Sequence, residues 1–189
     1  TRRLLSHLGI STRLESHHEH NEARAVPGVI DRLRDGATLA LVSDAGTPLV
    51  ADPGYRLVRS AIDAGVPVVP IPGASAILAA LVGSGLPTDR FTFAGYPPRK
   101  DGARRRFLCE LSAATGTTVL LESPHRIAAT LAAAAEILGD RDAALGRELT
   151  KMHEEFHRGT LTELSAKLDD NIRGEITLCI GPPENVLSP

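Results

Sequence analysis

The sequence predicts an α/β fold in which short strands alternate with helices. Short apolar runs alternate with segments of helical period along most of the 189 residues, and glycines and prolines stand at the junctions. A content of 42% hydrophobic and 23% charged residues is typical of a folded globular chain. Strands that alternate with helices imply crossover connections, and this pattern leaves the strand order open.

The predicted strands are short runs of apolar and β-branched residues. The first of them, 38–43, ends in a loop that is rich in glycine and proline. The other predicted strands are 66–71, 91–94, 117–121, 143–146 and 175–180.

The predicted helices lie between these runs. Gly65 is expected to end a helix over 55–64, and Gly83 with Gly85 to end a helix over 74–82. The other segments of helical period are 103–113, the alanine-rich 125–138, and 160–168.

A change in composition divides the chain into two halves. Residues 87–102 contain three prolines and two glycines, and each half outside this stretch has its own strand–helix units. We therefore predict an N-terminal α/β subdomain over 1–86, a linker region over 87–102 and a C-terminal α/β subdomain over 103–189.

Composition and charge exclude several classes of protein. The formal net charge of -2 gives no global positive field, so a nucleic-acid site has to be a local basic patch. Aromatic residues make up only 3%, which argues against a sheet that stacks bases on exposed rings. Cys109 and Cys179 are far apart and form no metal or disulfide framework. No apolar run has the length of a membrane span, so we expect a cytoplasmic protein.

The loop after the first predicted strand is the most informative segment. Residues 42–54 include Gly46, Pro48, Pro53 and Gly54 within nine positions, more than an ordinary strand–helix connection needs. Ligands of open α/β sheets bind at the carboxyl ends of strands, where small residues let the backbone approach closely. We therefore predict a ligand site here, although the loop is neither a Walker loop nor Gly-x-Gly-x-x-Gly.

The next strand end repeats this pattern. Pro72-Gly73 predicts a sharp turn, and Ser75 either caps the following helix or donates a hydrogen bond to a ligand. Two neighbouring strand ends built from small residues predict one shared cleft.

Segments 43–54 and 72–76 resemble the tetrapyrrole-methylase superfamily of S-adenosylmethionine (SAM) enzymes. Within it, the sequence resembles the ribosomal RNA small-subunit methyltransferase I family, which methylates the ribose 2′-hydroxyl of a cytidine in small-subunit rRNA. The other matching motifs are His20-Asn21-Glu22, Asp89-Arg90-Phe91, Glu122-Ser123-Pro124-His125-Arg126, Arg147-Glu148-Leu149-Thr150-Lys151 and Gly174-Glu175.

The resemblance covers nearly the whole chain and carries several expectations. It implies two α/β subdomains of the tetrapyrrole-methylase type with the SAM cleft between them, and a homodimer. Thr1-Arg2-Arg3 resembles the end of the family's Glu-Asp-Thr-Arg motif. We therefore expect the family's opening strand and Pro-Gly-rich first loop to be missing from this sequence.

The resemblance also implies which residues border SAM. Gly46-Thr47-Pro48 stands where the wider superfamily carries Gly-Asp-Pro, so Thr47 lacks the carboxylate of that position. Glu122, Arg147 and the pair Ile176-Thr177 are expected near the adenosine. The cofactor-binding residues so implied are Ser43, Asp44, Gly46, Thr47, Pro48, Val50, Pro72, Gly73, Ser75, Ala76, Glu122, Arg147, Ile176 and Thr177.

Two clusters of polar residues allow more than one interpretation. His17, His18 and His20 are too close in sequence for all of them to bind one metal ion, so we expect no metal site. The triplet His20, Asn21 and Glu22 is a candidate for ribose or phosphate contacts. Residues 99–106 form the concentrated basic run, which is either a solvated face or an RNA site. Because cations oppose the dipole at a helix start, phosphate contact explains the run better. The RNA-binding candidates are Arg99, Lys100, Arg104, Arg105 and Arg106.

The resemblance therefore implies a SAM-dependent methyltransferase that 2′-O-methylates a cytidine ribose in small-subunit rRNA, acting on the free rRNA or on the assembled small subunit. A ribose hydroxyl has to lose a proton during methyl transfer. The candidates for handling that proton are His20, Glu22, Glu122, His125 and Lys151. Two alternatives stay open, a methyltransferase for corrinoid or porphyrinoid tetrapyrroles and a non-catalytic RNA-binding module.

Overall fold

The computed structural model describes residues 1–169 and 171–183. The helices are α1 (Arg2–His7), α2 (Glu19–Arg34), α3 (Tyr55–Asp63), α4 (Ala76–Ser84), α5 (Asp101–Leu111), α6 (Ile127–Leu138) and α7 (Leu161–Lys167). The strands are β1 (Phe91–Gly95), β2 (Thr117–Glu122), β3 (Asp142–Arg147), β4 (Glu155–Thr160) and β5 (Ile176–Ile180). This is the mixed α/β fold that the sequence predicts.

The chain separates into two compact units, Thr1–Ala74 and Ser75–Pro189. We call them unit 1 and unit 2. The division falls after Ala74, before the linker region 87–102 that the change in composition indicates. The reason is α4, whose Ala80 and Leu81 are buried in the same apolar cluster as Val119, Ala144 and Cys179 of the sheet.

Unit 2 contains a five-stranded sheet in the order β1-β2-β5-β3-β4. Strand β1 pairs with β2 in parallel, while β5 is antiparallel to both β2 and β3, and β4 is antiparallel to β3. Strands β1, β2 and β3 therefore point the same way, and their carboxyl ends lie along one edge. We call this the carboxyl edge of unit 2.

Both faces of this sheet are covered. On one face, Leu120, Leu145 and Leu178 pack with residues of α5, α6 and α7, and all three are at most 1% exposed. On the other face, α4 packs on the cluster of Val119, Ala144 and Cys179. Strands buried on both sides have near-continuous apolar sequences, which is why the sequence identifies β2, β3 and β5 correctly.

Unit 1 is held by a smaller core. Val26 and Ile30 of α2 pack against Ala61 of α3, with Leu33 and Leu57 at the margin. The loop before α2 is tied down by Arg32, whose guanidinium donates to both carboxylate oxygens of Glu15 at 2.6 and 2.7 Å. Helix α3 matches the predicted segment 55–64.

Two predicted strands in unit 1 are wrong. Residues 38–43 and 66–71 form no strand, and neither pairs with another strand among the described residues. Their apolar side chains stay accessible, including Val69 at 73% and Ile71 at 79% exposed. A buried-strand sequence forms a strand only when a neighbouring strand accepts its backbone hydrogen bonds.

The sequence analysis predicts neither α2 nor β4. It assigns no helix to the histidine-rich segment 17–20, but α2 begins at Glu19. Strand β4, Glu-Phe-His-Arg-Gly-Thr, is an edge strand with polar residues at most positions, so it lacks the apolar run of the other strands. No helix among the described residues is long and apolar enough to cross a membrane.

Candidate functional site

Backbone strain marks two loops. Among the described residues, the non-glycine residues with positive φ are Leu49 (72°) and Ala51 (61°) in unit 1, and Glu148 (50°) and Thr150 (66°) in unit 2. Such conformations are costly for residues with a Cβ and concentrate at binding and catalytic sites. One of these loops follows the first predicted strand, and the other follows β3 at the carboxyl edge.

The loop of unit 1 keeps its backbone accessible. Gly46 has φ 70°, and a Cβ placed there would meet only the Ala74 carbonyl oxygen, at 3.9 Å. The Thr47 hydroxyl donates to the same oxygen at 3.3 Å. Ser43 Oγ donates to the carbonyl oxygens of Ala45 and Gly46, each at 3.1 Å. Residues 43–47 thus come within contact of Ala74, which follows Pro72-Gly73.

The start of α4 belongs to unit 2. Ser75 Oγ accepts a hydrogen bond from Leu78 N at 3.3 Å, so Ser75 is the N-cap of this helix. Ala76 is its first residue. Of the two roles that the sequence allows for Ser75, the structure shows the helix cap.

The His20-Asn21-Glu22 motif lies in the first turn of α2. The carboxamide oxygen of Asn21 accepts from His18 N at 2.9 Å and secures the helix start. Glu22 is 7% exposed and accepts from Arg56 N, at the start of α3, at 3.1 Å. Glu22 therefore joins two helices, while His20 is exposed. A pocket of about 310 Å³ beside this motif is lined by Glu19, Ala51, Asp52 and Pro53.

At the carboxyl edge of unit 2, pairing brings predicted site residues into one row. Glu122 lies opposite Ile176, which lies opposite Arg147, which lies opposite Glu155. Side chains opposite each other share a face, so this row lies on the α5–α7 side with Ile176 in the core. Thr177 is one residue further along and points to the α4 side. The adenosine contacts expected of Ile176 and Thr177 are thus on opposite faces.

The Glu122 carboxylate is fully buried, and both of its oxygens contact donors of the protein. Its side chain has 0% exposure. One carboxylate oxygen, Oε1, accepts from Ser123 N at 2.8 Å and pairs with Arg126 Nη2 at 2.5 Å. The other, Oε2, accepts from the Thr130 hydroxyl at 2.6 Å. A carboxylate in this position cannot reach a substrate.

The loop after β3 is held by ion pairs. Arg147 Nε and Nη2 donate to Glu155 Oε2 at 2.9 and 2.7 Å, and these bonds lower the pKa of Glu155. The Glu148 carboxylate accepts from Glu175 N at 2.8 Å and from Lys151 Nζ at 3.0 Å, and both bonds lower the pKa of Glu148. The loop is thereby fixed to the start of β5.

Lys151 is a fixed cation. Its Nζ pairs with Glu148 at 3.0 Å and with Glu175 at 3.1 Å. Burial favours a lower pKa for Lys151, but the hydrogen bonds to both carboxylates outweigh it and raise the pKa above the ordinary value. Lys151 therefore carries its proton at neutral pH and cannot accept another.

The structure separates the basic run into bound and accessible cations. Arg104 is 8% exposed and pairs with Asp101 at 2.5 Å. Arg105 pairs with Glu136, and its Nη1 donates at 2.9 Å. The accessible cations are Arg99, Lys100 and Arg106.

One side chain at this edge is missing from the site residues that the sequence predicts. Arg126 is absent from the predicted site residues, although its Nη1 donates to the Pro97 carbonyl oxygen at 3.2 Å while its Nη2 pairs with Glu122. No sequence signal indicates this pair, because a four-residue spacing brings side chains together within a helix, whereas Glu122 ends β2 and Arg126 precedes α6. No group of three or more His, Cys, Asp or Glu in residues 1–169 and 171–183 is arranged to hold a metal ion.

The sequence profile of the tetrapyrrole (corrin/porphyrin) methylases matches residues 2–165. The chain is 51% identical over 187 residues to a ribosomal RNA small subunit methyltransferase I from Micromonospora olivasterospora, covering 97% of this chain and 60% of that protein. It is 52% identical to the protein of the same name from Mesorhizobium japonicum, covering 97% of this chain and 64% of that protein. The chain thus spans less than two thirds of the length of these relatives.

Solved structures share the fold at low sequence identity. A crystal structure of diphthine synthase matches with a TM-score of 0.71 and 18% identity, covering 95% of this chain and 73% of that chain. A uroporphyrin-III C-methyltransferase from Thermus thermophilus, in complex with S-adenyl homocysteine, matches with a TM-score of 0.53 and 19% identity, covering 84% of this chain and 73% of that chain.

Proposed function

The chain belongs to the tetrapyrrole methylase family, and from that premise we propose that it transfers the methyl group of SAM to the ribose 2′-hydroxyl of a cytidine in small-subunit rRNA. The observation that carries the proposal is the identity of about half of the residues, over 97% of this chain, with proteins named ribosomal RNA small subunit methyltransferase I. The substrate is small-subunit rRNA or the assembled small subunit, and the protein acts in the cytoplasm as a homodimer.

The residues of segments 43–50 and 72–76 fit SAM. Gly46 and Thr47 are exposed, and their small size leaves backbone groups free to approach a ligand. Strain at Leu49 and Ala51 fits a loop whose shape is set for a ligand. The residues of unit 1 that would hold SAM are Ser43, Asp44, Gly46, Thr47, Pro48, Val50, Pro72 and Gly73. The family resemblance also implies Ser75 and Ala76, which belong to unit 2.

Bound SAM supplies a methyl group that the adjacent sulfonium already activates. The chain itself has to orient the ribose hydroxyl and handle its proton. The Glu122 side chain has 0% exposure, Glu22 is 7% exposed and accepts from Arg56 N, and Lys151 is already protonated. The exposed imidazoles of His20 and His125 are the remaining proton acceptors from the predicted set.

The accessible cations of unit 2 favour an RNA substrate. Arg99 and Lys100 lie just before α5, Arg106 lies in the middle of that helix, and all three pair with none of the described acidic residues. Phosphate groups bind such cations without sequence preference and hold the RNA in register.

The test is methyl transfer from labelled SAM to unmodified small ribosomal subunits, followed by digestion and mass spectrometry of the nucleosides. A 2′-O-methylated cytidine is the expected product. Binding of SAM without transfer to RNA would favour a tetrapyrrole substrate, which the family name allows. RNA binding without SAM binding would favour a non-catalytic RNA-binding module.

A further inference from the structure

Glu122 organises the turn that follows β2. Its carboxylate accepts from Ser123 N at the beginning of the turn, and it pairs with Arg126 at the end. The turn is closed by Arg126 N, which donates to the Ser123 carbonyl oxygen at 3.0 Å. The Thr130 hydroxyl adds a third donor from α6. With these contacts, one buried carboxylate fixes both ends of turn 123–126.

Arg126 extends this arrangement to a second loop. Its side chain is 23% exposed, and it spans the space between Glu122 and the carbonyl oxygen of Pro97. Pro97 is buried and lies in the loop that follows β1. Because β1 and β2 are parallel neighbours, Arg126 ties together the loops at their carboxyl ends.

Each of these loops carries an exposed group that the proposed function uses. Arg99 and Lys100 lie two and three residues after Pro97, and both are exposed. His125 is exposed within turn 123–126 and has no hydrogen-bond or ion-pair partner among the described side chains. The distance between the phosphate-binding cations and the imidazole therefore depends on the Glu122–Arg126–Pro97 contacts.

We propose that Glu122 and Arg126 are positioning residues for RNA, which hold the cations Arg99 and Lys100 in register with His125. This inference rests on the proposed function, because it takes RNA as the ligand of both loops. It assigns Glu122 no part in proton transfer. A proton acceptor needs a free lone pair directed at the substrate, and the Glu122 side chain has 0% exposure while both of its oxygens accept from protein donors, so it presents no lone pair to a substrate.

The decisive variant is Arg126→Lys. Lysine keeps the ion pair with Glu122 but has a single ammonium group in place of the planar fork, so it cannot also reach the Pro97 oxygen. Arg90→Lys is the matched control, because Arg90 is an exposed arginine of unit 2 whose Nη1 donates to Thr115 at 3.0 Å, away from this edge.

Amide hydrogen exchange and steady-state kinetics are measured on both variants and on the unsubstituted protein. In Arg126→Lys we expect at least tenfold faster exchange of the hydrogen-bonded amides that flank the loop, at the end of β1 and at Ala103 and Arg104, about a tenfold higher KM for RNA, and less than a threefold change in kcat or in the Kd of SAM. The control variant should change none of these. Unchanged exchange of these flanking amides would overturn the coupling of the loops, and an equal loss of SAM binding would overturn the assignment to RNA.

The variant Glu122→Gln tests whether Glu122 positions the two loops or accepts the proton. We expect a lower kcat/KM with a pH profile of unchanged shape, whereas loss of the acidic limb would show that Glu122 is a base. If Glu122→Gln does not fold, the double variant Glu122→Gln with Arg126→Met removes both charges of the pair and serves for the same measurement. An unsubstituted protein that binds no RNA would overturn the proposed function, while the exchange data would still decide whether Arg126 couples the loops.

Discussion

The two units bury similar apolar sequences to very different extents. In unit 2, the residues of β5 are all buried between two layers of helices. In unit 1, segment 66–71 is also apolar, although Pro67 and Pro70 have no backbone N–H to donate, and Val69 and Ile71 are more than 70% exposed. The two segments differ in their hydrogen-bonded neighbours. Strand β5 pairs with a strand on each side, whereas segment 66–71 pairs with none of the described strands. Hydrophobicity alone therefore does not make a strand.

Large-to-small substitutions should give the largest contrast between the units. Leu178→Ala removes a side chain with 0% exposure from the middle of the sheet and should cost about 2–5 kcal/mol of unfolding free energy. Ile71→Ala, at 79% exposure, should change it by less than about 0.5 kcal/mol. Urea unfolding followed by circular dichroism measures both. Similar losses would show that segment 66–71 is buried in solution.

Alanine substitutions of loop glycines should also change the unfolding free energy more in unit 2 than in unit 1. Gly174→Ala should cost roughly 1–3 kcal/mol, because Gly174 has φ 91° and its Cβ would lie 2.5 Å from Glu148 Cγ. Gly73→Ala should be within about 1 kcal/mol of neutral, since nothing lies within 4 Å of its Cβ and its φ is ordinary. Thermal unfolding of both variants tests this, and equal destabilisation would contradict it.

The sequence predicted unit 2 well because local pattern and environment agree there. Continuous apolar runs bounded by glycines identify β2, β3 and β5, and Gly85 in the left-handed conformation ends α4 as expected. Strand β4 was missed because Arg158 and Phe156 stabilise it through α4, with Arg158 Nε donating to the Gly83 carbonyl oxygen at 2.9 Å. Such a contact between distant segments leaves no local signal.

The sequence indicates which polar residues stand at the strand ends, but not what each side chain contacts. The Glu122 motif and the Arg147 motif do lie in one row of the sheet. Sequence could not show that Glu122 is saturated, that Lys151 is held by two carboxylates, or that Arg104 is buried. Each of these facts depends on side chains that folding brings together, which are not fixed by spacing along the chain.

The accessible and bound cations of the basic run should differ in RNA binding. Replacing Lys100 and Arg106 by glutamine should weaken binding of small-subunit rRNA roughly tenfold at moderate salt and lower the slope of log affinity against log salt by about 2. Arg105→Gln should have a smaller effect, because Glu136 already neutralises that guanidinium. Filter binding over a range of salt concentrations measures the slopes, with Arg104 left intact because it is buried. A larger effect of Arg105→Gln would place the RNA on the other side of α5.

The smallest expected contrast concerns acid stability. Hydrogen bonds from Glu175 N and Lys151 hold the pKa of Glu148 below its ordinary value. A carboxyl group whose pKa is lower in the folded state stabilises the fold at pH values above its unfolded pKa, and this stabilisation disappears as pH falls through the folded pKa. Glu148→Gln should therefore reduce the unfolding free energy at pH 7 by about 1 kcal/mol and flatten its decrease below about pH 4.5.

In unit 1, Glu15 also has a lowered pKa because of Arg32, but it is exposed to solvent that screens the pair. Glu15→Gln should therefore change the pH dependence less than Glu148→Gln does, and the reverse order in urea titrations at pH 3–7 would show that the loop before α2 is the more firmly held of the two.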